Sequence, residues 1–224
     1  MVSYVPGALS RPLRELHRRV TFRRAMNRFI KDPRRAVERD GAVLDRLVYG
    51  WGNEGWSGQR EYLEACVLHA LECKGPILEC GSGLTTLLVG HVAQAVGTTM
   101  WTLEHLPSWA TRVQLELHEF GIESVRLCIS PIREHGAFDW YDAPLHAMPE
   151  RFSLVICDGP PAATRGGRYG LCEVMRDHLL RDCTILLDDA VRSDEQRIAE
   201  QWKVKLDMDC QLRGAVAPFF ELRR

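Results

Sequence analysis

The chain has 224 residues, a net charge of −1 at neutral pH and an apolar fraction of 46%. This length predicts one domain, or one domain with an appendage, and the apolar fraction is ordinary for a globular protein. No apolar run of about 18 residues occurs, which argues against a transmembrane helix. The N-terminus lacks the apolar segment of a secretory signal.

The eight cysteines are scattered along the chain, and none of them forms a C-x-x-C pair. This pattern argues against a zinc site. Several of the cysteines lie inside apolar segments, where a free thiol behaves as a small hydrophobic group. We therefore predict reduced thiols and a cytoplasmic location.

The near-zero net charge hides a basic N-terminal part, which we assign to a helical extension over residues 1–48, ahead of a main domain over 49–224. Residues 1–45 hold eleven Arg and Lys against five Asp and Glu, so the remainder of the chain has a net charge of −7. The pattern predicts one helix over 13–30 and a second, opened by Pro33, that continues to Leu47. The first helix has an apolar stripe of Leu13, Leu16, Val20 and Phe29.

Two interpretations of this basic extension stay open. In one, its arginines contact an anionic membrane surface, a nucleic acid or another anionic polymer. In the other, it is a solvated helix docked on its own body or on a second subunit, as in a homodimer.

Residues 49–57 contain three glycines and two tryptophans, from which we predict a loop. Ser57 is a suitable N-cap for a helix over 58–73. The aromatic residues either line a ligand pocket or fix the loop to the body.

The most informative stretch is 75–90, which predicts a strand, a glycine turn and a helix. Pro76 to Leu78 is a short apolar strand that leads to Glu79, and Gly81-Ser82-Gly83 precedes a helix over 84–96. Such a unit lets the backbone approach a ligand closely and offers free N–H groups. A dinucleotide fingerprint would have a third glycine where this chain has Thr86, and Glu79 would face a pyrophosphate unfavourably.

The segment Glu79-Cys-Gly-Ser-Gly83 resembles the first motif of the class I S-adenosylmethionine (SAM) dependent methyltransferases. SAM carries an ammonium and a sulfonium, so a carboxylate suits it better than a phosphate cradle would. The resemblance covers about residues 57–224 and implies SAM-binding roles for Glu79, Gly81, Ser82, Gly83 and Thr85. The alternative is a structural βα turn, because motif matches carry false positives.

Two later strands continue the family pattern. A strand over 98–103 ends in Glu104-His105, about 20 residues past the glycines, and the resemblance implies that Glu104 binds the ribose hydroxyls beside His105. A helix over 107–120 and a strand over 125–129 follow. Ser130 then lies where the family often contacts adenine.

The second half predicts four further strands and two helices of a Rossmann-like doubly wound α/β sheet with seven strands. A buried strand over 151–157 ends in Asp158-Gly-Pro-Pro, and a strand over 183–187 ends in Asp188-Asp189. We predict helices over 171–180 and 193–201, and a C-terminal antiparallel hairpin of strands 202–208 and 215–222. Carboxylates at the carboxyl edge of central strands lie over the site in open α/β sheets, so we also expect Asp158 to contact the cofactor, as we do for His105.

These carboxylates also resemble those of catechol-type O-methyltransferases, which hold a divalent metal with an Asp after strand four and an Asp-Asn pair after strand five. The matching residues are Asp158, Asp188 and Asp189, and the resemblance implies Mg²⁺ or another divalent metal between them. Adjacent carboxylates repel unless a positive charge lies there, and Mg²⁺ would acidify a bound hydroxyl. The chain departs from the catechol-type pattern in two respects. It lacks the Lys that follows the first Asp, and it has Asp189 where that family has Asn. Asp189 alternatively caps the next helix or pairs with Arg192.

The candidate catalytic residues are Asp158, Asp189 and His105. His135 is a further candidate base, and either histidine is alternatively a surface residue. Arg165, Arg168 and Tyr169 either bind an acidic or polyhydroxyl acceptor or belong to an exposed, mobile loop over 165–170.

We predict a SAM-dependent O-methyltransferase for a small-molecule or sugar-like hydroxyl acceptor. One alternative is a nucleic-acid methyltransferase that uses the basic extension, although the chain lacks an aromatic residue after Asp-Gly-Pro-Pro. Another is a non-catalytic module with a SAM-binding fold. An NAD oxidoreductase is disfavoured by Thr86 and Glu79.

Overall fold

The computed structural model describes residues 11–52 and 58–224. The chain divides into two compact units, the first ending at Ser57 and the second beginning at Gly58. The predicted boundary between residues 48 and 49 falls within the third helix of the first unit. In the two described ranges, no helix combines the length and the apolar character that crossing a membrane requires.

The N-terminal unit consists of helices α1 (Arg11–Lys31), α2 (Pro33–Glu38) and α3 (Gly41–Trp51). Asp32 separates the first two helices and caps α2, because its Oδ1 accepts a hydrogen bond from the Arg35 N–H at 3.0 Å. The predicted second helix is interrupted between α2 and α3, where Arg39 and Asp40 leave the helical conformation.

The buried face of α1 differs from the predicted stripe. Phe22, Ala25, Met26 and Phe29 are buried, whereas Leu13, Leu16 and Val20 are exposed. At 3.6 residues per turn, Phe29 lies about 160° around the helix from Leu13. The prediction that Phe29 shares a stripe with the three exposed residues is therefore wrong.

The loop prediction is wrong for Tyr49 to Trp51, which form the last turn of α3. A Cβ added at Gly50 would lie 2.7 Å from the Phe22 Cβ, so this glycine permits the close packing of α1 against α3. Gly52 has a φ of 75° and ends the helix in the left-handed conformation. Residues 53–57, including the predicted N-cap Ser57, lie outside the described residues.

The strands of the second unit are β1 (Ile77–Cys80), β2 (Met100–Glu104), β3 (Val125–Ile129), β4 (Ile132–Glu134), β5 (Asp139–Tyr141), β6 (Phe152–Cys157), β7 (Leu179–Leu187), β8 (Asp209–Arg213) and β9 (Phe219–Arg223). Seven of them form one sheet, in the order β3–β2–β1–β6–β7–β9–β8. The first five strands in that order run parallel to one another, and β9 is antiparallel to both of its neighbours. This confirms the predicted doubly wound α/β sheet with a C-terminal hairpin.

The helices of this unit follow the strands and cover the sheet, so that β1 is buried at every position. They are α4 (Arg60–Glu72), α5 (Leu84–Val96), α6 (Pro107–Glu119), α7 (Gly170–Met175) and α8 (Ser193–Leu206). Because β1, β2, β6 and β7 run parallel, their carboxyl ends meet at one edge of the sheet, where the predicted site residues follow them.

Two predicted elements of the second half are corrected, and one pair of strands was missed. The segment 202–206 is the end of α8 rather than a strand, because Ile198, Trp202 and Leu206 are buried at helical spacing while Val204 is exposed. The predicted helix over 171–180 ends as a short 3₁₀ turn at Arg176–His178, and Leu179 already belongs to β7. The antiparallel pair β4–β5 was not predicted.

Candidate active site

Glu79 is the third residue of strand β1, just before the glycine loop, and its side chain is buried. Its Oε2 accepts hydrogen bonds from the Thr86 hydroxyl at 2.7 Å and the Thr102 hydroxyl at 2.9 Å. The Thr86 hydroxyl in turn accepts from the Gly83 N–H at 2.8 Å. Thr86, which replaces the third glycine of a dinucleotide fingerprint, therefore connects Glu79 to the loop.

The charge state of Glu79 is set mainly by burial, which raises the pKa of this carboxyl to about 7 against the opposing effect of its threonine hydroxyl donors. Its Oε1 has no hydrogen-bond partner among the described residues. A buried carboxylate with a free oxygen and neutral donors favours a cationic ligand nearby.

Glu104, at the end of β2, holds the glycine loop. Its Oε2 accepts from the Ser82 hydroxyl at 2.7 Å and the Ser82 N–H at 3.1 Å, and its Oε1 accepts from the Leu106 N–H at 2.8 Å. Trp109 donates its indole N–H to the Ser82 carbonyl at 2.8 Å from the other side. A carboxylate has about four acceptor positions, so Glu104 keeps about one for a ligand hydroxyl.

Space for a ligand is present at this loop. Apart from the adjacent residues of the chain, no described atom lies within 4 Å of the position that a Cβ would occupy at Gly83. The loop also adjoins the end of β6, because a Cβ at Gly81, which has a φ of 88°, would lie 3.2 Å from the Gly159 nitrogen. The glycine loop after β1 and the loop that begins at Asp158 after β6 are thus neighbours.

Two buried hydroxyls near this edge have no hydrogen-bond partner in the described part of the chain: those of Ser130 and Tyr141. Ser130 follows β3 and donates its N–H to the Glu104 carbonyl at 2.7 Å. The Tyr141 hydroxyl lies 2.3 Å from the position of a Cβ at Gly159. Because buried polar groups are normally paired, these hydroxyls and the open loop fit a polar ligand such as SAM.

The other half of the edge is organised around Arg168, whose side chain is only 3% exposed. Its Nη2 donates to Asp158 Oδ1 at 3.0 Å and to Asp189 Oδ2 at 2.7 Å. The same guanidinium donates to the backbone carbonyls of Asp158 and Asp188 at 2.8 and 2.7 Å. Arg168 therefore joins the ends of β6 and β7, and its burial is a correction to the predicted exposed loop.

The protonation of this cluster follows from burial and from Arg168. Burial raises the pKa of Asp158, which Arg168 opposes, and raises the pKa of Asp188 to about 6. Burial by itself would lower the pKa of Arg168, but the surrounding carboxylates outweigh it and raise that pKa. Asp189 has a φ of 63°, a strained conformation for a residue with a Cβ that is common at functional sites.

The predicted metal ligands do not fit a divalent ion in this arrangement. The positive charge that we assigned to a metal is carried by Arg168, which already occupies one oxygen of Asp158 and one of Asp189. Across residues 11–52 and 58–224, no group of three or more His, Cys, Asp and Glu is placed to hold a metal ion. Asp189 also forms an ion pair with Arg192 at 2.8 Å, which is one of the alternatives to metal binding that the sequence suggested.

The remaining candidates lie around this edge. His105 is partly buried, with its Nδ1 3.1 Å from Glu104 Oε1 and its ring centroid 6.5 Å from that of Tyr141. His135 is exposed in the β4–β5 connection and stacks on Phe138.

Of the other predicted acceptor-binding residues, Arg165 is exposed and pairs with Glu134 and Asp139. The Tyr169 hydroxyl accepts a hydrogen bond from the Lys205 ammonium at 2.6 Å. Neither contact places these two side chains at the carboxylate cluster.

No family model and no curated protein matches the sequence. Solved structures do match. The O-methyltransferase TomG from Streptomyces achromogenes, involved in tomaymycin synthesis and solved with SAM, is 14% identical with a TM-score of 0.57, covering 89% of this chain and 88% of its own. The chain has the fold of the class I methyltransferases.

Two further structures with this methyltransferase fold show how broadly it is used. An O-methyltransferase from Bacillus cereus in complex with S-adenosylhomocysteine (SAH) is 13% identical, with a TM-score of 0.57 and coverage of 85% and 90%. An rRNA methylase from Streptococcus thermophilus is 14% identical, with a TM-score of 0.53 and coverage of 75% and 99%. At these identities the similarity establishes the fold alone.

Sequence reasoning missed the roles of Arg168 and Tyr141 and the two threonine hydroxyls on Glu79. For Arg168 an indication was available, because three predicted carboxylates at neighbouring strand ends require a positive charge and a basic segment lies between them in sequence. Tyr141 gave no such indication, since its hairpin was not predicted.

Proposed function

We propose that the protein is a SAM-dependent methyltransferase that transfers a methyl group to a hydroxyl of a small-molecule or sugar-like acceptor. The observation that carries the proposal is the pair of buried carboxylates, Glu79 and Glu104, around the glycine loop. Their hydrogen-bond donors are uncharged, so the negative charge there favours a cationic ligand. The O-methyltransferases among the structures with this fold support the choice of a hydroxyl acceptor.

The roles of the cofactor-binding residues follow from their positions. Glu104 uses its remaining acceptor position for the ribose hydroxyls, and the unpartnered Ser130 hydroxyl serves the adenine edge. The Gly81–Gly83 loop gives backbone access. Glu79 balances the ammonium of the methionine end through the field of its buried carboxylate. SAM, when bound, supplies the electrophilic methyl group.

Asp158 is the residue that we propose as the general base. Its side chain is 24% exposed, so one oxygen remains accessible while the other is held by Arg168. A carboxylate with a raised pKa is better matched to taking a proton from a hydroxyl at neutral pH. Arg168 and Asp189 fix its orientation, which favours the in-line geometry that methyl transfer needs.

Isothermal titration calorimetry tests the cofactor assignment. The protein should bind SAM and SAH but not NADH, and Glu104→Gln should weaken SAH binding by about 1–3 kcal/mol because charged hydrogen bonds to hydroxyls are weakened. Glu123→Gln, an exposed position near the end of α6, is the matched control and should leave the affinity unchanged. Binding of NADH, or equal SAH affinity in both variants, would refute the assignment.

A further inference from the structure

The exposed face of α1 is divided along its length into an apolar and a basic part. Leu13, Leu16 and Val20 are 53%, 61% and 37% exposed and lie within about 60° of one another around the helix. The same face continues into Arg24 and Lys31, one turn and three turns beyond Val20. All five side chains point away from the buried face of the unit.

The side chains of the basic part surround one depression rather than being scattered over the surface. An open depression of about 520 Å³ is lined by side chains of α1 and α3: Thr21, Arg24, Asn27, Arg28, Lys31 and Arg46. Arg28 has a loose, exposed ion pair with Asp40 at 3.7 Å. For Arg24, Lys31 and Arg46, the described part of the chain offers no carboxylate partner. Unpaired cations around a depression favour a ligand with several negative oxygens.

We propose that this face, Leu13 to Lys31 together with Arg46, binds the surface of an anionic membrane. The cations would hold lipid phosphates in the depression, while the three apolar side chains enter the headgroup boundary beside it. The apolar residues distinguish a membrane from a nucleic acid, whose phosphate backbone offers them no apolar partner.

The arrangement also argues against a second copy of the chain as the occupant. In a parallel pairing of two α1 faces, the cations of one copy would meet those of the other. In an antiparallel pairing, the apolar part would meet the basic part. Neither arrangement is complementary across a two-fold axis.

Vesicle co-sedimentation of the full chain tests the proposal, with phosphatidylcholine vesicles that contain or lack phosphatidylglycerol. The protein should bind only the anionic vesicles, and less at high salt. Each basic residue near such a surface contributes about fivefold to partitioning, so Arg24→Ala/Arg46→Ala should lower binding about 25-fold. The charge-matched control is Arg35→Ala/Arg39→Ala, exposed on the same unit but outside the depression. It should bind several-fold better than Arg24→Ala/Arg46→Ala.

A second variant, Leu13→Ser/Leu16→Ser, tests the apolar part without touching the core of the unit. It should reduce vesicle binding while leaving circular dichroism unchanged. The proposal would be overturned if the protein did not bind vesicles, or if Arg24→Ala/Arg46→Ala bound them as well as Arg35→Ala/Arg39→Ala. Two other results would also overturn it: duplex DNA binding that depends on Arg24 and Arg46 but not on the leucines, or a loss of self-association in the leucine variant without vesicle binding.

Discussion

The two halves of the sheet edge stabilise their carboxylates by different means. Beside β1 and β2, Glu79 and Glu104 accept hydrogen bonds from hydroxyls and backbone N–H groups, which carry no net charge. Beside β6 and β7, Asp158 and Asp189 share the guanidinium of Arg168. The carboxylates of the first half pair with no Arg or Lys of the described residues and have only His105, charged when protonated, beside Glu104. The second half already contains the cation of Arg168.

This difference separates the two tasks of the proposed reaction. A cationic cofactor fits the half whose charge is not compensated. An uncharged hydroxyl acceptor fits the half where a cation is already in place and a carboxylate can take a proton. Each prediction below probes one half of this edge.

The largest effect is expected from Asp158→Asn. Loss of a general base lowers turnover by about 10²–10⁴-fold, while SAH affinity should stay within about twofold, because Asp158 belongs to the other half. Turnover is measured as SAH release with an acceptor found in a panel of phenols and sugars, and affinity by calorimetry. Asp142→Asn, partly exposed and outside the cluster, is the control. A parallel fall in affinity and turnover would show that the halves are not separate.

Arg168→Met should reduce the free energy of unfolding by about 3–5 kcal/mol, because it leaves buried carboxylates without their counter-charge. Arg165→Met, three residues earlier, removes only exposed ion pairs and should cost less than about 1 kcal/mol. Urea unfolding measures both. Similar losses of unfolding free energy in the two variants would show that Arg168 is not the main counter-charge of the buried carboxylates. Arg168→Lys, which keeps the charge but not the fork, should fall between them.

The pH dependence of SAH binding tests the cofactor half. Burial raises the pKa of Glu79 to about 7, so this carboxyl is partly protonated in the free protein near neutral pH. The ammonium of SAH favours the ionised form, so affinity should rise with pH and level off above pH 7. Between pH 6 and pH 8 we expect about a tenfold gain, if the ligand returns the pKa to near 5. Glu79→Gln should flatten the curve, and an unchanged slope in that variant would assign the titration to another group.

The smallest effect is expected from chelation. Because Arg168 supplies the positive charge between Asp158 and Asp189, EDTA should leave turnover unchanged and added Mg²⁺ should not raise it. Calorimetry with Mn²⁺ and the metal-free protein should detect no site at these aspartates. Loss of turnover with EDTA and its recovery with Mg²⁺ would restore the metal that the resemblance implies.

The segment from β1 to the end of β2 could be predicted from the sequence because its structure is set by residues that are close together in the chain. The strand, the glycine turn and helix α5 occupy one continuous stretch, and the predicted helix bounds of 84–96 agree with the structure. Glu104 follows directly from the end of the next strand. Short apolar strands, glycines and a following helix are all set by neighbouring residues, so the pattern alone places them.

Tertiary contacts decided the rest. Gly50 suggested a loop, but contact with Phe22 makes it a helix-packing residue. The alternating apolar residues from Trp202 suggested a strand, but this segment is helical, and only one face of the helix packs against the core.

The sequence by itself determined the order of the parallel strands β1, β2, β3, β6 and β7 and placed carboxylates at the ends of β1, β2, β6 and β7, because these depend on local periodicity. Only the tertiary structure decided what neutralises those carboxylates. Arg168 reaches Asp158 and Asp189 because β6 and β7 are neighbours in the sheet and the intervening segment returns to their ends. Which charge meets which carboxylate depends on distances through space, and those are set by packing rather than by spacing along the chain.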